Sequence, residues 1–145
     1  MPKSLTFAFL IIAITLFAVP STGAQAADYP PLYREMGLPE LPQANVTAVG
    51  RDNSSQTDGL SVKLKTAASQ SELRTFFEQK MAELGWTLQE TPAMKQMRKA
   101  GMLDKLPFRA AFCSNDGIVF QISALNLGAS RQVSIAVNKG SNSCK

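Results

Sequence analysis

The stretch Ser69-Gln70-Ser71-Glu72-Leu73-Arg74-Thr75-Phe76-Phe77-Glu78-Gln79-Lys80-Met81-Ala82-Glu83-Leu84-Gly85-Trp86 decides the fold. Ser69 and Glu72 stand three apart, the capping-box spacing in which a hydroxyl accepts from the third amide and a carboxylate reaches back to the first. Leu73, Phe76, Phe77, Met81 and Leu84 then recur with helical period and form one apolar stripe, with Arg74, Glu78, Gln79 and Glu83 off it. Gly85 stands where a left-handed residue ends a helix, and Trp86 follows in position to pack back on Met81. A long helix with one oily side needs an oily surface to lie on.

That surface is written in segments of period two. Upstream, Leu60, Val62 and Leu64 alternate with Ser61, Lys63 and Lys65; residues 45–51 form a weaker strand with Val46 and Ala48 on its apolar side. Downstream, Trp86 and Leu88 alternate with Thr87 and Gln89. Thr91-Pro92 then reads as a cap and first turn for a second, short helix that stops at Gly101. Three more strands follow, built on Phe108, Ala110 and Phe112, on Ile118, Phe120 and Ile122, and on Val133, Ile135 and Val137. Nearly every strand has one apolar and one polar side, as in an antiparallel sheet with a single wet face. The expected fold is α+β: a single, mainly antiparallel sheet of five to six strands, with one main helix and a second short one packed on one face.

The chain of 145 residues begins with a leader: Lys3, an apolar run from Leu5 to Val19, Pro20, and a small-x-small site at Ala24-Gln25-Ala26. Residues 1–26 are read as a cleavable signal peptide, and no later segment approaches the roughly 20 apolar residues of a membrane span. The compact leader points to a periplasmic or secreted bacterial protein. Residues 27–43 carry Pro30, Pro31, Pro39 and Pro42 and are read as an extended, Pro-rich arm whose apolar side chains either strap across the domain or dock onto a partner. Residues 44–145 form the single domain. Cys113 and Cys144 allow one intramolecular pairing, which an oxidising compartment favours.

The chain has no histidine, which excludes a Ser-His-Asp triad, a Cys-His pair, His-ligated zinc and His-held haem. There is no Walker loop, G-x-G-x-x-G, G-x-S-x-G or S-x-x-K, and no cofactor is indicated. The acidic residues are scattered along the chain, so a small enzyme would need two carboxylates brought together by folding. Met94 and Met97, three apart, could offer thioethers to Cu(I), yet that spacing is equally what a packed helix stripe requires. The segment from Ala93 to Arg109 carries Lys95, Arg98, Lys99, Lys105 and Arg109 against one acid, Asp104, with Ala93, Met94, Met97 and Ala100 on the other helical side. A basic amphipathic helix suits an anionic surface or an acidic partner. Nucleic acid is not implied, because no aromatic residues interleave the basic ones.

A strand ending at Thr66, followed by the helix from Ser69 with paired aromatics and a Leu84-Gly85-Trp86 close, resembles small exported bacterial proteins of unassigned function. The resemblance implies a two-layer domain of the cell envelope. The expected function is a non-enzymatic binding or accessory module whose partner is a protein or an anionic envelope component.

Overall fold

The computed structural model describes residues 28–52, 59–139 and 144. Residues 1–26, read from the sequence as a leader, lie outside the described residues, as do residues 53–58. The elements run α1 (Pro31–Glu35), β1 (Asn45–Asp52), β2 (Gly59–Thr66), α2 (Gln70–Glu83), β3 (Thr87–Gln89), α3 (Pro92–Lys99), a 3-10 turn (Leu103–Lys105), β4 (Arg109–Cys113), β5 (Ile118–Leu127) and β6 (Ser130–Lys139). The six strands form one sheet in the order β1-β2-β6-β5-β4-β3, with every neighbouring pair antiparallel. The fold is α+β. Among the described residues, no helix is long and apolar enough to cross a membrane.

Register explains why one side of the sheet is dry. Val62 pairs with Ile135, Ile135 with Ile122 and Ile122 with Ala110, so one apolar row crosses four strands. On this side α2 lays Leu73, Phe77 and Met81, all fully buried. The Phe77 ring lies 6.3 Å from that of Phe108 and 6.0 Å from that of Phe120, at offset and tilted angles that aromatic quadrupoles favour. The capping box is complete: Glu72 N–H donates to Ser69 Oγ at 3.1 Å, and Ser69 N–H donates to the Glu72 carboxylate. At the other end Gly85 adopts φ 77°, and the amides of Gly85 and Trp86 donate to the carbonyls of Ala82 and Met81. Leu84 departs from the expected stripe. It is the C-cap, already turned off the core face, and is 44% exposed.

The segment read as an extended arm contains a helical turn, α1. Proline opposes a helix interior but suits the first position, where its fixed φ is ready-made and its missing donor is not needed. Pro31 occupies that position. The turn drives Tyr33 fully into the core, where its hydroxyl donates to Pro39 O at 2.8 Å. Tyr29 stacks on it with centroids 4.8 Å apart and accepts from Leu41 N–H at 2.9 Å. Burial pushes both phenols above their ordinary pKa, Tyr33 furthest.

A second correction concerns β1. The register shifts between Val46 and Ala48, so Val46 pairs with Leu64 on the dry side while Ala48 pairs with Lys63 on the other. A bulge puts an extra residue into one strand and swaps the faces that follow it. Val46 is buried and Ala48 exposed. Cys113 and Cys144 are joined as a disulfide with Cα atoms 5.6 Å apart. Pairing explains the proximity: Cys113 sits opposite Val119, and Ile118 opposite Lys139 near the end of β6.

Candidate binding surfaces

The basic segment is built by α3, the 3-10 turn after it and the start of β4. Thr91 Oγ1 accepts from Met94 N–H at 3.2 Å, with Pro92 in the first turn. Gly101 at φ 66° closes α3, its amide and that of Met102 donating to Arg98 O and Met97 O. None of the residues of α3 is buried. The sequence places its apolar side on the sheet, yet only Met94 is half-buried there, while Met97 is 38% and Met102 51% exposed. Leu106, beyond the 3-10 turn, is 42% exposed. Ala93 and Ala100 are too small to bury much area.

The five basic residues singled out in the sequence differ in their surroundings. Arg98 is committed inward: its two terminal nitrogens donate to the Glu78 carboxylate at 2.9 and 2.7 Å, and Nε donates to Glu90 at 2.8 Å. The bidentate bond to Glu78, reinforced by Glu90, pushes the Arg98 pKa up, so the guanidinium stays charged and clamps α3 to α2. Beside it Arg74, off the apolar stripe in sequence, is nonetheless buried. It donates to Leu103 O at 2.9 Å, lies 5.3 Å over the Phe108 ring, and approaches Asp104 at 3.4 Å and Glu78 at 3.8 Å. The Asp104 approach is an ion pair and not a hydrogen bond, since Arg74 Nε has no hydrogen-bond partner.

These pairings consume Glu78, Glu90 and Asp104, the nearby acids. Lys95, Lys99 and Lys105 are exposed and form no ion pair with any described residue. They share the α3 edge with exposed Met97, Met102 and Leu106. Arg109 belongs elsewhere. It begins β4 and projects from the wet face of the sheet into an open groove of about 540 Å3.

Sequence reasoning missed that groove. Its outward-facing lining is Ser61, Lys63, Gln89, Arg109, Ala111, Gln121, Ser123, Ser134 and Ala136, with Met94 at the α3 end. The signal was present in β2, where Ser61 and Lys63 alternate with core residues. Which residues of other strands stand beside them depends on register. Among the described residues, no Asp or Glu lines the groove. Among the described residues, no three Cys, Asp or Glu side chains gather into a group that could hold a metal ion.

No protein-family model matches the chain, and comparison with curated proteins and with solved structures gives no match.

Proposed function

We propose that this chain is a small, exported, non-enzymatic binding module of the bacterial envelope, and that the α3 edge is its contact with an anionic lipid surface. The observation that carries this reading is the pairing of properties along one edge. Lys95, Lys99 and Lys105 have no acidic partner among the described residues, and Met97 on the other side of α3 is uncovered, as are Met102 and Leu106 beyond it. Such a surface gains from apolar insertion and from attraction to anionic headgroups, each basic residue contributing about 1 kcal/mol near the surface. The Arg98 clamp supports the reading, because it holds the edge at a fixed place on the domain. The disulfide and the leader support export, since such bonds persist in oxidising compartments.

The test is co-sedimentation of the mature protein with vesicles of mixed anionic and zwitterionic lipid. Lys95→Glu/Lys99→Glu/Lys105→Glu removes three attractions and is expected to weaken binding by about 100-fold or more. Binding should also fall as salt rises from 0.05 to 0.5 M, as screening shortens the reach of the charges. Arg98 is left intact in this variant, because reversing it would break the clamp. Unchanged sedimentation of the triple variant overturns the reading.

A further inference from the structure

On the wet face, two rows of residues cross the groove. One runs Ser61, Ala136, Gln121, Ala111, Gln89 across β2, β6, β5, β4 and β3. The next runs Lys63, Ser134, Ser123, Arg109 across β2, β6, β5 and β4. In the second row two hydroxyls stand directly opposite one another, with a cation on the strand to either side. Cross-strand neighbours place their Cβ atoms about 5 Å apart, so one small polar head can touch both serines. Three strand spacings of about 4.8 Å separate the backbones of Lys63 and Arg109, about 14 Å in all. Two long side chains folding inward from those ends reach a head group seated over the serines. None of Lys63, Arg109, Ser123 and Ser134 makes a side-chain hydrogen bond or ion pair with any other described residue. Lys63 and Arg109 are exposed while the serines are half-buried.

The rest of the groove is largely carbon. Ala136 and Ala111 form the neighbouring row's low points, and Met94 overhangs from α3. The volume of about 540 Å3 falls in the range of small-molecule sites. We propose that this face is a ligand site for an aliphatic anion. Its charged head lies on the Ser123–Ser134 pair between Lys63 and Arg109, and its chain lies along Ala136, the methylenes of Gln121, Ala111 and Met94. Charge complementarity selects the occupant: among the described residues the lining offers two cations, hydroxyls and amides, and no carboxylate to repel an anion. This site shares none of its residues with the lysines of the α3 edge, so it does not rest on the membrane reading.

The experiment titrates the mature protein with dodecanoate, below its micelle concentration, by calorimetry and by backbone NMR. The expected result is saturable 1:1 binding, with shifts centred on the amides of residues 109, 121–123 and 134–136. Dodecanol and dodecyltrimethylammonium bind at least tenfold more weakly, and acetate, lacking a chain, likewise. Lys63→Gln/Arg109→Gln loses at least tenfold in affinity. Ala136→Phe, which fills the floor without touching a charge, loses binding altogether. Both variants change half-buried or exposed positions, and unchanged thermal unfolding confirms that they fold. Lys95→Glu/Lys99→Glu/Lys105→Glu keeps wild-type affinity for dodecanoate, which separates this site from the α3 edge. The proposal is overturned if the wild type shows no saturable binding. It is equally overturned if dodecanol or acetate binds as well as dodecanoate, or if the Lys63/Arg109 variant binds undiminished.

Discussion

Helices α2 and α3 end alike and live differently. Each begins on a hydroxyl cap, Ser69 or Thr91, and each ends with a glycine at positive φ followed by a residue whose amide returns to the previous turn. Yet α2 buries Leu73, Phe77 and Met81 completely, and α3 buries nothing. Caps are local chemistry and say where a helix starts and stops. Burial is decided by what the sheet places opposite. The dry face is filled by α2 and by Tyr33 of α1, so α3, in the connection from β3 to β4, is held at the edge by Arg98 instead of by a core.

The largest expected effect breaks α2. Phe77→Ala should cost about 3–5 kcal/mol in denaturant unfolding, the range for an aromatic removed from a packed core. The matched change in α3, Met97→Ala, should cost no more than about 0.5 kcal/mol, as for surface substitutions away from special features. Losing the disulfide through Cys113→Ala/Cys144→Ala releases a separation of 31 residues and should cost about 3–4 kcal/mol in the loop-entropy model, with neither helix changed.

Capping distinguishes the helices more finely. Ser69→Ala should lower global stability by about 1 kcal/mol. Thr91→Ala should instead fray α3, visible as faster amide exchange at residues 94–97 with little change in the global midpoint. Acid tests the α2 cap. Its bond to the Ser69 amide holds the Glu72 carboxyl below the ordinary glutamate pKa, so its contribution is full above pH 4.5 and is lost as pH falls through the lower folded value. At the equivalent position α3 has Met94, so its cap carries no carboxylate to lose. Stability followed from pH 6 to 2 in wild type and Glu72→Gln should show the wild type losing its advantage.

A change at the clamp sharpens the comparison most. Arg98→Ala removes the bonds from α3 to Glu78 and Glu90, but Arg98 is 37% exposed, so the pair is screened and the global cost should stay near 1 kcal/mol. Its signature is loosened exchange in α3 while α2 stays protected.

Much of this architecture was legible because it is encoded locally. Ser69 with Glu72, Thr91 with Pro92, and the alternation in β2, β4, β5 and β6 need only neighbours a few residues away. The parts that were not legible depend on pairing at a distance. Proline at Pro31 argued against a helix until its place in the first turn was seen. The bulge that turned Ala48 outward is visible only against β2. Arg74 carries an i,i+4 signal with Glu78, but its burial depends on Leu103 and Asp104, about 30 residues on. For the binding surfaces, the basic run was readable. The withdrawal of Arg98 was not, because it needs the packing of α3 against Glu78 of α2, and the placing of Arg109 in one row with Lys63 needs the register of strands more than 40 residues apart.

Native-state hydrogen exchange tests the contrast between the helices most directly. The account predicts that amides in the middle of α2, around Phe77, open only with global unfolding. Those of α3 should exchange through local opening at a free energy well below it. Equal protection in α2 and α3, with the same denaturant dependence, would mean that α3 is covered after all and would contradict the account.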